Sequence, residues 1–120
     1  MILRLKRRKK IRRSIQMVKE MNTAEFNLAI KGEKTVFVDF WAVWCGPCRM
    51  LAPVIDELSE EFAETAVFGK VNVDEESDLA QQYGIMSIPC VMAFKNGELV
   101  DKNVGFVPKA ALKAFVEKNI

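Results

Sequence analysis

Residues 35–41, Thr-Val-Phe-Val-Asp-Phe-Trp, constrain the fold of this chain more than any other stretch. Their β-branched and aromatic side chains occupy both faces of a strand, so neither face tolerates water and the strand must be covered on both sides. The single acid within it, Asp39, is conspicuous. Just beyond lies Trp44-Cys45-Gly46-Pro47-Cys48, and then Leu51, Val54, Ile55, Leu58 and Phe62 recur at three- and four-residue spacing. Asp56, Glu57, Glu60, Glu61 and Glu64 occupy the remaining face, which describes an amphipathic helix. Pro53 removes one backbone donor from that helix and is expected to kink it rather than end it, because the periodicity continues beyond.

The rest of the chain reads around this centre. Residues 14–19 suit a short first strand, and Asn22 with Glu25 has capping-box spacing for a helix that turns Phe26 and Ile30 inward and stops near Gly32. Residues 66–73 form the next strand, Ser77 or Asp78 is expected to cap a short helix through Gln82, and residues 91–94 form another apolar strand. Asn96 and Gly97 stand where a tight hairpin needs positive φ, so the strand through Val104 should run antiparallel to the one before it. Pro108 opens a last helix carrying Leu112, Phe115, Val116 and Ile120. The expected order is β, α, β, α, β, α, β, β, α.

Composition narrows the chemistry. A chain of 120 residues suits one domain with one core. Histidine is absent, which removes the usual general base, the Ser/His and Cys/His nucleophilic pairs and imidazole metal sites. Three cysteines do not complete a four-thiolate zinc or iron-sulfur site. No apolar run has the roughly 18 residues of a membrane-spanning helix. The small, odd cysteine number fits a reducing compartment, and the cytoplasm is the expected location.

Charge divides the chain in two. Residues 1–19 hold nine Lys/Arg and no acid, whereas residues 20–120 hold nine Lys/Arg against sixteen Asp/Glu. Residues 1–16 read as a basic arm, either a disordered tail or a stretch ahead of a start at Met17 or Met21, and residues 17–120 as the domain. The arm has no aromatic interleaving for single-stranded bases, so its expected work is weak, nonspecific attraction to nucleic acid or another anionic surface.

The cysteine pair lies between a buried strand and the start of a helix. Unpaired N–H groups and the positive dipole end there favour the thiolate of Cys45, the nucleophilic form. Cys48, one turn later, reaches Cys45 to close a small disulfide and is expected to be the more buried and protonated of the two. Attack by one and resolution by the other is thiol–disulfide exchange.

These residues strongly resemble thioredoxins, through VDFWAVWCGPC at 38–48, KVNVD at 70–74, YGIMSIP at 83–89, FKNGE at 94–98 and VG at 104–105. The resemblance spans about residues 17–120. It implies an α/β thioredoxin fold, a central mixed sheet of strand order 1-3-2-4-5 flanked by helices, with the last two strands antiparallel to the rest. It also implies that Cys45 attacks, Cys48 resolves, Asp39 is the buried acid beneath them, Lys70 lies near that acid, and Pro89 follows a cis bond facing the disulfide. Trp44, Gly46, Pro47, Ile88 and Gly105 match the apolar surface that receives a partner's backbone. The implied activity is protein disulfide reduction by a monomer, without cofactor beyond the Cys45–Cys48 disulfide, with a thioredoxin reductase and disulfide-containing proteins as partners. A noncatalytic scaffold tethered by the basic arm is the alternative.

Bottom-up, Asp39 in an apolar strand should have a raised pKa and exchange a proton with Cys48. Trp41 and the six methionines are read as packing. Two departures from the family stand out besides the arm: Ser87 replaces a frequent glycine, and Cys90 follows Pro89 where threonine is usual. Cys90 is read as a small buried hydrophobe or as a candidate additional redox thiol.

Overall fold

The computed structural model describes residues 17–120, so the basic arm and the start of the expected first strand lie outside the described residues. The elements are β1 (Val18–Glu20), α1 (Thr23–Ala29), β2 (Thr35–Trp41), α2 (Gly46–Glu61), β3 (Ala66–Asn72), α3 (Ser77–Gln82), β4 (Cys90–Lys95), β5 (Glu98–Val104) and α4 (Lys109–Asn119). The sheet order is β1-β3-β2-β4-β5, with β3 parallel to both β1 and β2 and with β4 antiparallel to β2 and β5. The expectation that both last strands oppose the rest therefore holds for β4 alone. A tight hairpin reverses the chain after β4, so β5 runs in the direction of β1, β2 and β3.

Local chemistry explains most of these boundaries. The Asn22 side chain accepts from the Glu25 N–H while the Glu25 carboxylate accepts from the Asn22 N–H, which starts α1. Asn96 at φ 52° and Gly97 at φ 84° make the β4–β5 turn in the left-handed region. Helix α2 runs through Pro53 without ending. Two details depart from expectation. The cap position of α3 is Glu76, without a side-chain cap, because its carboxylate instead accepts from the Thr23 N–H and hydroxyl at the start of α1. Ile120, expected inward, lies past the last turn of α4 and is exposed.

Strand β2 is buried along almost its whole length, and alternation sends its side chains into two cores. Val36, Val38 and Phe40 join Met21, Phe26, Leu79, Met92 and Phe94 on the α1–α3 face. Phe37 joins Leu51, Ile55, Leu58, Phe68, Leu112 and Phe115 on the α2–α4 face. A Cβ on Gly69 of β3 would lie 2.8 Å from Met21 Sδ and 3.2 Å from the Lys19 carbonyl oxygen, so the end of the Met21 side chain would have to move aside.

Candidate redox site

The site forms where β2 ends and α2 begins. Cys45 occupies the N-cap, Gly46 and Pro47 the first two helical positions, and Cys48 the third. Proline costs no hydrogen bond there, because first-turn N–H groups have no partner within the helix. The Cys48 N–H donates to Cys45 Sγ at 3.1 Å, so sulfur takes the role that serine or aspartate oxygen plays in an ordinary cap. The two cysteines are disulfide-bonded with Cα atoms 5.2 Å apart.

The expected difference in burial between them is not found: Cys45 is 4% and Cys48 3% exposed. The two cysteines cluster with Ala42, with Trp41, Val73 and Ile88 packed against them, and the asymmetry lies in the hydrogen bond and the helix position instead.

Across the pair, the Ile88–Pro89 bond is cis, and the Ile88 carbonyl oxygen lies 3.8 Å from Cys45 Sγ. The Pro89 carbonyl accepts from the Gly105 N–H at 2.7 Å, with Gly105 at φ 93°, so the loop after β5 is fastened beside the proline. Of the residues expected to form the partner surface, Gly46 and Pro47 lie between the cysteines, Trp44 directly precedes them, Ile88 packs against them, and Gly105 is tied to Pro89. Trp44 is 68% exposed, with Val43 and Met86 exposed nearby in sequence to the two site loops. Met86, at 94% exposure, is not the packing residue that methionine composition suggested.

Asp39 lies two residues before Trp41 on the α2 side of β2, where burial is almost complete and its Oδ1 has no hydrogen-bond partner. Burial raises its pKa from the ordinary 3.8 to about 7, Lys70 pulls it down, and Asp56 pushes it up. Lys70 is the register partner of Asp39 on β3, and its Nζ stands 5.3 Å from the centroid of the Trp41 ring. Trp41 is accordingly half-buried and serves as a cation platform rather than as plain core.

Cys90 is a free thiol, 2% exposed, and it packs with Phe40 and Met92 on the α1–α3 face. Burial raises its pKa, with smaller effects from Lys102 and Asp39.

Sequence reasoning missed the fastening of Trp44. Its indole N–H donates to Asp74 Oδ2 at 2.9 Å, the Asp74 N–H donates to Asn72 Oδ1 at 2.8 Å, and Arg49 Nη1 donates to the Val43 carbonyl at 3.0 Å. Asn72 and Asp74 stood inside the KVNVD stretch; only the fold reveals that it ends beside the tryptophan.

A disulfide-bonded cysteine pair at a helix cap, packed against the Ile88 loop at the end of a strand that buries an acid, defines a dithiol–disulfide redox protein on a mixed sheet. The comparisons agree. The family model Thioredoxin matches residues 17–118. The chain is 49% identical over 94 residues to a thioredoxin of Alicyclobacillus acidocaldarius, covering 78% of this chain and 90% of that one. It is 50% identical over 110 residues to a chloroplastic M-type thioredoxin of Pisum sativum, covering 91% of this chain but 64% of that protein's length. The crystal structure of a Malassezia sympodialis thioredoxin superposes with a TM-score of 0.80 at 38% identity, over 85% of this chain and 90% of that one. The chain belongs to the thioredoxin family and is a thiol–disulfide oxidoreductase that reduces protein disulfides by dithiol–disulfide exchange.

Proposed function

We propose that Cys45 is the attacking thiolate, Cys48 the resolving thiol and Asp39 its proton partner, in a general protein disulfide reductase. The observation that carries this reading is the Cys48 N–H donating to Cys45 Sγ at the α2 cap, a contact that grows stronger when that sulfur is charged. Cys45 Sγ attacks one sulfur of a partner disulfide, and the other leaves as a thiolate. Asp39 takes the Cys48 proton, Cys48 attacks Cys45 Sγ, and the second partner sulfur leaves and is protonated. The partner gains two electrons and the Cys45–Cys48 disulfide is formed. A thioredoxin reductase returns two electrons to it. No cofactor beyond the disulfide is needed.

Trp44, Gly46, Pro47 and Ile88 offer the partner an apolar platform, and Pro89 with Gly105 holds the Ile88 backbone beside it. Gly-Pro between the cysteines supports reduction over oxidation, since no histidine stands between them to stabilise the thiolate further. Lys70 tunes Asp39, and Cys90 fills core space. Among the described residues no helix is long and apolar enough to cross a membrane. We place the protein in the cytoplasm as a monomer, with residues 1–16 a basic arm, where expressed, that attracts anionic surfaces or nucleic acid. Its binding is expected to weaken steeply with salt.

An insulin reduction assay with the full chain tests the main reading: turnover is expected, and Cys45→Ser should abolish it. A folded, reducible protein without turnover would instead favour a noncatalytic scaffold.

A further inference from the structure

Ile88 packs against the cysteine pair, but the residues just before it line a separate pocket of about 250 Å³. Ile85 and Met86 form its loop side, Cys90 and Met92 of β4 its floor, and Lys102 and Val104 of β5 its far side. Strand register explains why the pocket is there. Val104 stands opposite Cys90 and Lys102 opposite Met92, so all four side chains leave the β4–β5 pair on its α1–α3 face. Cys90 and Met92 are buried, whereas Lys102 and Val104 are exposed, so the cover over β4 stops short of the edge strand β5. Asp101, one residue earlier, points to the other face, where it meets Lys118 and Asn119 of α4. Lys102 is thus separated from its neighbouring acid. Among the described residues it makes no ion pair, and none of the residues lining the pocket is acidic.

We propose that this pocket is a second contact for the disulfide-bearing protein partner: it receives an apolar side chain, and Lys102 pairs with an acidic residue beside it, about three to five residues along the partner from the reacting cysteine. This deepens the reading of Ile88 and Gly105 as partner surface and rests on it. Continuity with the redox site carries the assignment. One wall of the pocket runs directly into Ile88, against the cysteines, and the other runs into Gly105, whose N–H donates to the Pro89 carbonyl. From Gly105 back to Lys102 is a stretch of strand about 10 Å long, at about 3.3 Å per residue, and an extended partner chain advances at the same pitch. A chain seated with its cysteine at Cys45 and passing over Ile88 and Gly105 therefore reaches the pocket within a few residues, in one of its two directions. Met86 and Val104 leave an exposed apolar rim there, which gains by being covered. The unpaired ammonium sets the charge preference. It attracts a carboxylate and repels lysine or arginine, so it selects among partners more than it tightens binding.

The test measures how fast the reduced full chain releases an aromatic thiolate from synthetic peptides whose single cysteine carries it in a mixed disulfide. Leu-Glu, Leu-Gln or Leu-Lys is placed about four residues before or after that cysteine. At low salt the Glu peptide should outpace the Lys peptide about threefold to tenfold on one of the two sides, with Gln between, and about 0.5 M salt should bring the ratio close to one. Lys102→Glu should invert the order. Val104→Ser should remove the advantage of Leu over Ser at the same place while keeping the charge order. Hydroxyethyl disulfide, too small to reach the pocket, should be reduced equally fast by wild type and Lys102→Glu. Equal rates for the Glu and Lys peptides, or a preference that survives Lys102→Glu, overturns the proposal. So does a chain that sediments as a dimer which Lys102→Glu dissociates, since a second copy would then be the occupant. Ile88→Ser should slow all the peptides alike; if it leaves them all unchanged, the Ile88 platform has failed, while the charge order still decides whether the pocket selects.

Discussion

The two faces of one sheet have been put to different uses. On the α1–α3 face, Phe26 meets Phe40, Tyr83 and Phe94 edge-on, with ring centroids 5.2 to 6.2 Å apart, and the polar groups are kept out. On the α2–α4 face the same strand β2 carries Asp39 with an unpartnered oxygen and Trp41 with an unpartnered indole N–H, beneath a helix that begins with the cysteine pair. Burying such groups costs stability, of order 1 to 3 kcal/mol for each unsatisfied one. The contrast is one of polarity and not of core: both faces carry an apolar cluster, and only the α2–α4 face also holds an acid whose burial is unsatisfied, next to the strand end that leads into the cysteine pair. Cys90 belongs to the apolar face and Cys45 to the strained one, although Pro89 and Cys90 are adjacent in sequence.

The sharpest way to separate the faces is chemical. Cys48→Ser should end turnover and accumulate mixed disulfides on Cys45, which a nonreducing gel with mass spectrometry would show; Cys45→Ser should trap nothing. Equal capture by the two variants would mean that the helix cap does not divide their labour.

Phe26→Ala on the far face should cost about 3 to 5 kcal/mol in denaturant unfolding, through lost burial and the cavity left behind. The molecules that remain folded should exchange disulfides at the wild-type rate. A variant that loses activity ahead of stability would show the faces to be coupled.

Asp39→Asn should do the reverse, slowing exchange at neutral pH while raising stability. The folded pKa of about 7 lies above the ordinary 3.8, so the native state binds more protons between those values. Wild-type stability is therefore highest below that window and falls as pH rises through it, by up to about 4 kcal/mol. The variant, with nothing to ionise there, should give a flatter curve. An Asp39→Asn protein less stable than wild type at pH 7 would identify Asp39 as a satisfied structural group.

The smallest effect is expected at Cys90. Cys90→Ala should cost about 1 to 2 kcal/mol and leave the oxidised protein unchanged on a nonreducing gel, as a core methyl-sized deletion would. A dimer or adduct that depends on Cys90 in the wild type would move this thiol from the packing face into the redox chemistry.

Local pattern made much of this legible. The seven-residue run of β2 required cover on both sides, the Asn22–Glu25 pair and the Asn96–Gly97 turn carried their own geometry, and the position of Cys45 and Cys48 at a helix start implied their reactivity. Each of these depends on hydrogen bonds or sterics within a few residues, which sequence encodes directly. The direction of β5, the diversion of Glu76 from capping α3 to holding α1, and the Trp44–Asp74 bond were decided by the tertiary structure, because each joins a residue to a group distant in the chain. The equal burial of the two cysteines belongs with them, since the Ile88–Pro89 loop that covers Cys45 comes from some forty residues away. So does the placement of the Lys70 ammonium over the Trp41 ring. Sequence named the lysine and the acid, but their facing one another in register depends on β2 and β3 meeting side by side in the sheet, across some thirty residues of chain.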